Sequence, residues 1–193
     1  MPLDKKYLNQ LRNTLHDQAL MRREIIKQGG DALHHAKRAI FALHRDQLGE
    51  AKKKLDEALS LLKQLSKRYG KQPEMHTEGS YKAALEEYVE AVLLYQFVEK
   101  RSVGKITSIA VPTDVYLAGL SDVPGELYRY AIRAATAGDT KTVQDCEAMS
   151  SDILAELIEF DVTKYLRTKF DQAKAAHQKL EIVLYELAIR DKK

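Results

Sequence analysis

The chain of 193 residues contains one cysteine, Cys146. A single thiol excludes an intrachain disulfide and cannot by itself form a cysteine zinc site. Four prolines and nine glycines are gathered in a few places, leaving long stretches free of helix breakers. No apolar run approaches the roughly 20 residues of a membrane span. The opening Met1-Pro2-Leu3-Asp4-Lys5-Lys6 lacks the apolar core of a signal peptide. The expectation is therefore a soluble, cytoplasmic protein. There is no Gly-rich linker, low-complexity tract or internal repeat. No Glu-x-x-His occurs either, which argues against a ferritin-like di-iron oxidase, the main alternative metalloenzyme. A marked excess of either charge is also lacking. With 31 Lys and Arg against 28 Asp and Glu, the net +3 permits a nucleic-acid partner without arguing for one.

What is present is helical periodicity. The composition is 45% hydrophobic and 31% charged, rich in Lys, Arg and Glu, and favours long helices over a sheet sandwich. Leu8, Leu11, Leu15 and Ala19 begin a stripe that Leu33, Ala36, Ile40 and Leu43 continue beyond Gly29-Gly30, so the glycines either end a helix or only kink it. Leu55, Leu59, Leu62 and Leu65 mark the next helix, ending at Tyr69-Gly70-Lys71-Gln72-Pro73. A further helix runs from about Glu78 to Lys100. Thr113-Asp114 after Pro112 reads as a helix start, and Asp122-Val123-Pro124 as another with proline in its first turn. Gly138-Asp139-Thr140 closes that helix and caps the next, which reaches about Glu159. The last carries Leu166, Phe170, Ala173, His177, Leu180, Leu184 and Leu187. The fold class is all-α: one bundle of about six or seven helices over residues 1–193.

Two acidic pairs stand out. Glu87 and Glu90 lie three apart within Glu86-Glu87-Tyr88-Val89-Glu90-Ala91, and Asp122 and Glu126 lie four apart within Asp122-Val123-Pro124-Gly125-Glu126. Either spacing places both carboxylates on one helix face. The segment Ala91–Val98 is apolar nearly all round, so its helix is expected to be buried and its acids kept from free solvent. Two ionised carboxylates about 5 Å apart repel by about 3 kcal/mol at an effective dielectric near 20. A divalent cation is the simplest relief, and an oxygen-rich cage suits Mg²⁺ or Mn²⁺. The plainer readings are that Glu-x-x-Glu is a surface pair, that Asp122 is an N-cap, and that Glu126 pairs with Arg129 or Tyr130. Glu156 and Glu159 share the spacing and read as a solvated face.

Lys37-Arg38-Ala39-Ile40-Phe41-Ala42-Leu43-His44-Arg45, Glu87-Tyr88-Val89-Glu90-Ala91-Val92 with Phe97 and Arg101-Ser102, and Asp122-Val123-Pro124-Gly125-Glu126-Leu127 with Gly138-Asp139 together resemble the translin family. More narrowly they are similar to its catalytic branch, translin-associated factor X. The similarity runs in order over most of the chain, to Tyr185-Glu186-Leu187-Ala188-Ile189-Arg190. The resemblance implies an all-α bundle assembling into a hollow octamer that binds single-stranded RNA and DNA. It also implies a Mg²⁺-dependent endoribonuclease whose catalytic, metal-holding acids carry over onto Glu87, Glu90, Asp122 and Glu126. The stretch from Val98 to Pro112 is shorter than in eukaryotic relatives and there is no extended C-terminal tail. Both differences suggest a compact relative forming a homo-oligomer.

A strand held by its phosphates needs cations. The candidates are Arg22, Arg23 and Lys27; Lys37, Arg38 and Arg45; and Arg101 with Lys105. Lys37, Arg38, Arg45 and Arg101 rank first by the resemblance, although Arg38 is equally readable as a structural ion pair. Lys52-Lys53-Lys54, Lys63, Lys67 and Arg68 read as a solvated face balanced by Glu50, Asp56 and Glu57. His44 reads as a packed or capping histidine, and His34-His35, being adjacent, point to different faces. The expected function is metal-dependent cleavage of single-stranded RNA by an activated water. The alternatives are a non-catalytic shell that binds single-stranded RNA or DNA, and a di-iron-type helical enzyme.

Overall fold

A computed structural model describes residues 3–190. Met1 and Pro2, part of the opening segment judged not to be a signal peptide, lie outside the described residues, as do 191–193. Among the described residues all regular structure is helical: α1 (Lys5–Leu43), α2 (Leu48–Tyr69), α3 (Pro73–Thr77), α4 (Gly79–Lys100), α5 (Thr113–Thr136), α6 (Thr140–Ile158) and α7 (Lys164–Arg190). None of these helices is long and apolar enough to cross a membrane.

Packing divides the helices into two groups. α1, α2 and α4 pack on one another, as do α5, α6 and α7, and α4 against α5 joins the groups. The join explains why α4 is apolar on nearly every side. It must bury Tyr81, Leu85, Leu93, Leu94 and Phe97 against several neighbours at once.

Where the structure departs from or refines the sequence reading, the causes are physical. The chain does not start a new helix at Asp122: α5 is continuous from Thr113 to Thr136, with Pro124 inside it. Pro124 lacks the N–H that would bond the Leu120 carbonyl. Burial of Val123, Pro124 and Leu127 on the packed face carries the helix through nonetheless. The segment 73–77, left between the helix ending at Pro73 and the one expected from about Glu78, forms the short α3, with Pro73 in its first turn and Met75 buried. Of the two readings of Gly29-Gly30, the continuous helix is the one observed: α1 runs through both glycines. Gly29 is a contact point, where an added Cβ would lie 3.1 Å from the Ser80 carbonyl oxygen of α4. The expected stripe of α1 is packed only from Ile25 onward, while Tyr7, Leu11 and Leu15 are exposed. Met21 still packs against the core and Arg22 and Glu24 pair with Glu78 and Arg68, so it is the stretch Lys5–Leu20 that extends past the core, by about 24 Å.

The join between the two groups depends on Gly119. A Cβ there would stand 2.7 Å from Val89 Cγ1 and 2.9 Å from the Glu86 carbonyl oxygen. Without a side chain, α5 presses its backbone onto α4 beside Glu87 and Glu90, and Asp122 follows one turn later on α5. Gly125 on the same helix has open space around it. Alanine gains about 1 kcal/mol over glycine in a helix interior, whereas overpacking costs about 1–3 kcal/mol. Gly125→Ala should therefore raise the urea midpoint and Gly119→Ala should lower it. Stabilisation by both substitutions would contradict the close approach.

Candidate functional site

The α4–α5 join brings the two acidic pairs together. Glu90 is buried, with 8% of its surface exposed. Its carboxyl is pushed up to about 9, first by burial and then by Asp122, Glu87 and Glu126, with Lys169 the opposing influence. Glu87 is raised by burial and by Asp122 and Glu126, against the pull of Lys37. Asp122 is raised by burial and held back by its hydrogen bond to Lys169. Burial would raise Glu126 as well, but His44 and Arg129 bring it below the usual carboxylate range. The four acids therefore sense one another across the join, and each neighbouring charge raises the cost of ionising the next.

Cations from the flanking helices answer this charge. From α7, Lys169 places its ammonium 2.5 Å from Asp122 Oδ2 and 2.7 Å from Glu86 Oε1. Tyr165, one turn earlier, donates its hydroxyl to the same Glu86 oxygen at 2.7 Å. From α1, Lys37 stands 3.8 Å from Glu87, and His44 Nε2 donates to Glu126 Oε2. Arg129 closes the other side of Glu126 at 3.0 Å. His44 is itself fixed, because Arg133 donates to its backbone carbonyl and pairs with Asp46. Glu90 alone of the four has no ion-pair partner among the described residues.

Two recesses open on this cluster. A cleft of about 460 Å³ is lined by Lys37, Glu86, Glu87, Asp122, Tyr165 and Lys169, among others. A smaller one of about 260 Å³ is lined by Lys37, Ile40, Phe41, Glu87, Glu126 and Arg129. Lys37 and Glu87 border both. The donor set is all carboxylate, the chemistry that Mg²⁺ and Mn²⁺ take, and Glu90 is a buried carboxyl without a counter-charge among the described residues. In kind, the residues fit a divalent cation. As arranged, no three His, Cys, Asp or Glu side chains among the described residues stand close enough to hold one. Asp122 and Glu126 are turned to Lys169 and His44 instead.

A family model described as the Translin family matches residues 21–191. The chain belongs to the Translin family. It is 28% identical over 177 residues to an uncharacterised protein of Methanocaldococcus jannaschii, covering 89% of this chain and 78% of that one. Among solved structures it is similar to AfC3PO, at 24% identity and a TM-score of 0.89, covering 97% of this chain and 100% of that one. AfC3PO in complex with duplex RNA gives 24% and 0.88, with 95% and 97% covered. Apo-NeC3PO gives 22% and 0.87, with 97% and 99% covered. At these identities the structures establish that the translin-like helical fold is shared.

The cationic candidates of this Translin-family chain fall in two places. Lys37 and Arg38 are exposed on α1 and Arg45 in the turn that follows it, with Lys37 beside Glu87. Arg101 instead caps α4 in a left-handed conformation, bonds Thr142 and pairs with Asp145 of α6. Residues missed by the sequence reading are Glu86, Lys169, Tyr165 and Gly119. Glu86 was in plain view beside Glu87 but outside the three-residue spacing. Lys169 lies 47 positions from Asp122 and carries no local signal.

Burial of Glu90 sets the pH dependence of metal-free stability. A carboxyl with its folded value raised from 4.5 to about 9 binds a proton more tightly in the fold. Its contribution is therefore fully present at acid pH and is lost as pH rises toward 9. Glu90→Gln removes the ionisation. In EDTA at pH 8 it should melt about 5 °C or more above wild type, with the gain shrinking toward pH 5. A variant melting lower than wild type at pH 8 would contradict the assignment.

Proposed function

We propose that this chain is a divalent-cation-dependent endoribonuclease that cuts single-stranded RNA, with residues 1–193 acting as one domain inside a closed homo-oligomer, an octamer by family resemblance. The observation that carries the reading is Glu90, a buried carboxyl raised to about 9 among three other acids and left without a counter-ion. Such a cluster is costly unless a cation enters it, and perturbed acids beside a cleft are a recurrent mark of functional sites.

Glu87, Glu90, Asp122 and Glu126 would hold Mg²⁺ or Mn²⁺. When bound, the cation supplies Lewis acidity toward water and phosphate oxygens. The chain's own residues do the rest. Lys169 neutralises Asp122 and Glu86, and Tyr165 holds Glu86 against the same ammonium. His44 and Arg129 fix the Glu126 carboxylate and keep it ionised. Lys37, Arg38 and Arg45 hold the RNA backbone through charge, giving salt-dependent and largely sequence-independent affinity. Arg101 is committed to α6 and contributes least.

A second reading is a non-catalytic shell that binds single-stranded RNA or DNA. The observation favouring it is that Asp122, Glu126 and Glu87 already have internal cations in Lys169, Arg129 and Lys37. One assay separates the two. Purified protein is incubated with labelled single-stranded, circular and duplex RNA in Mg²⁺, Mn²⁺ or EDTA, with its mass followed by light scattering. Duplex is included because AfC3PO is described bound to it.

The cleavage reading expects internal cuts in circular single strands, only with metal, leaving 5′-phosphate and 3′-hydroxyl ends as attack by water requires. Glu87→Ala, Glu90→Ala and Asp122→Ala should each lower the rate at least about 100-fold while leaving helicity and assembly unchanged. The expected mass is eight times the 21.9 kDa of the chain. Activity persisting in EDTA, or 2′,3′-cyclic phosphate ends, would falsify metal-assisted hydrolysis. Binding without cleavage would favour the shell.

A further inference from the structure

We infer that the Phe41 ring is a stacking platform for one unpaired nucleobase of an RNA strand lying across the carboxylate cluster. The inference rests on the proposed action on RNA and assigns a residue that sets its preference for single strands.

Phe41 is 59% exposed, although it sits in the best-packed part of α1. Its neighbours Ala39, Ile40, Ala42 and Leu43 are all buried, so the ring is held outward by a fixed backbone and not by a fraying helix end. It forms one wall of the recess of about 260 Å³ shared with Glu87 and Glu126. Lys37, one helical turn before it, lines the same recess, and the Arg45 guanidinium lies 5.7 Å from the ring centroid. Neither Arg38 nor Arg45 has an ion-pair partner among the described residues.

The combination selects its occupant. Carboxylates beside the ring repel a bare phosphate, and the cations along the end of α1 and the turn after it attract one. A nucleotide satisfies both when its backbone follows Lys37, Arg38 and Arg45 and its uncharged base turns onto Phe41. Every base has a π-face, so such contact is sequence-tolerant. In a duplex that face is covered by its stacked neighbours. The ring therefore rewards only unpaired residues. The competing occupant is a side chain from a second copy of this chain.

The test uses anisotropy of labelled single-stranded RNA in EDTA, where no metal-dependent cleavage occurs, and an oligomer of the same length lacking its bases. Phe41→Ala and Phe41→Leu should weaken binding of the based RNA by about tenfold, the scale of one base–aromatic stack, while Phe41→Trp stays within about twofold. The abasic oligomer should bind all four proteins equally, and assembly mass should not change. Leucine performing as well as phenylalanine, equal losses on the abasic oligomer, or an altered assembly mass would each overturn the stacking role, the last by pointing to the second copy. Wild type that binds no RNA would remove the proposed function and this inference together. Wild type that binds and cuts RNA while Phe41→Ala does the same would remove the inference alone.

Discussion

Close packing of α5 on α4 at Gly119 is the constraint on which the rest of the site depends. Backbone contact at that point leaves no room for a water layer, so the acids on either side are drawn into one poorly solvated region. There, burial and mutual repulsion act in the same direction, and Glu90 responds by holding its proton to about pH 9. The surrounding helices supply the compensation: Lys37 from α1, Arg129 from α5 and Lys169 from α7, with His44 at the C-cap of α1 hydrogen-bonded to Glu126. A join between two helical groups has become an electrostatic focus because a glycine allowed the backbones to touch.

Much of this was legible in the sequence, for reasons that differ by residue. Helix α4 declared itself by being apolar on every side, which made Glu87 and Glu90 anomalous and correctly implied restricted solvation. Asp139, read as a cap, accepts the Thr142 N–H as expected. Local rules failed where tertiary packing overrode them. Pro124 reads as a helix start, yet lies inside α5 because its neighbours Val123 and Leu127 are buried. Lys169 and Tyr165 were invisible because their partners lie on other helices. The α1 stripe at Leu11 and Leu15 was read properly as a helix face, but periodicity cannot say whether a face finds a partner.

Membership of the Translin family agrees with the architecture, and the similarity to the C3PO structures extends over nearly the whole chain. The chemistry rests on the site itself. Lys169 holds Asp122 and His44 holds Glu126, so two of the four acids are oriented by partners from outside the α4–α5 join. The exposed apolar residues of α1 and α7, among them Leu15, Ile182 and Tyr185, lie along the outer reaches of these helices. They leave the cluster open while offering surface for association.

Calorimetric titration of the metal-free protein with Mn²⁺ at pH 7.5, in two buffers of different ionisation enthalpy, examines the carboxylate cluster as a cation site most directly. Glu90 holds its proton at that pH and must lose it to become a ligand. Saturable binding should therefore release about one proton per site, and Glu90→Gln should abolish the release and weaken the binding. Absence of saturable binding, or binding with no proton release, would contradict the assignment of Glu90 to a cation site.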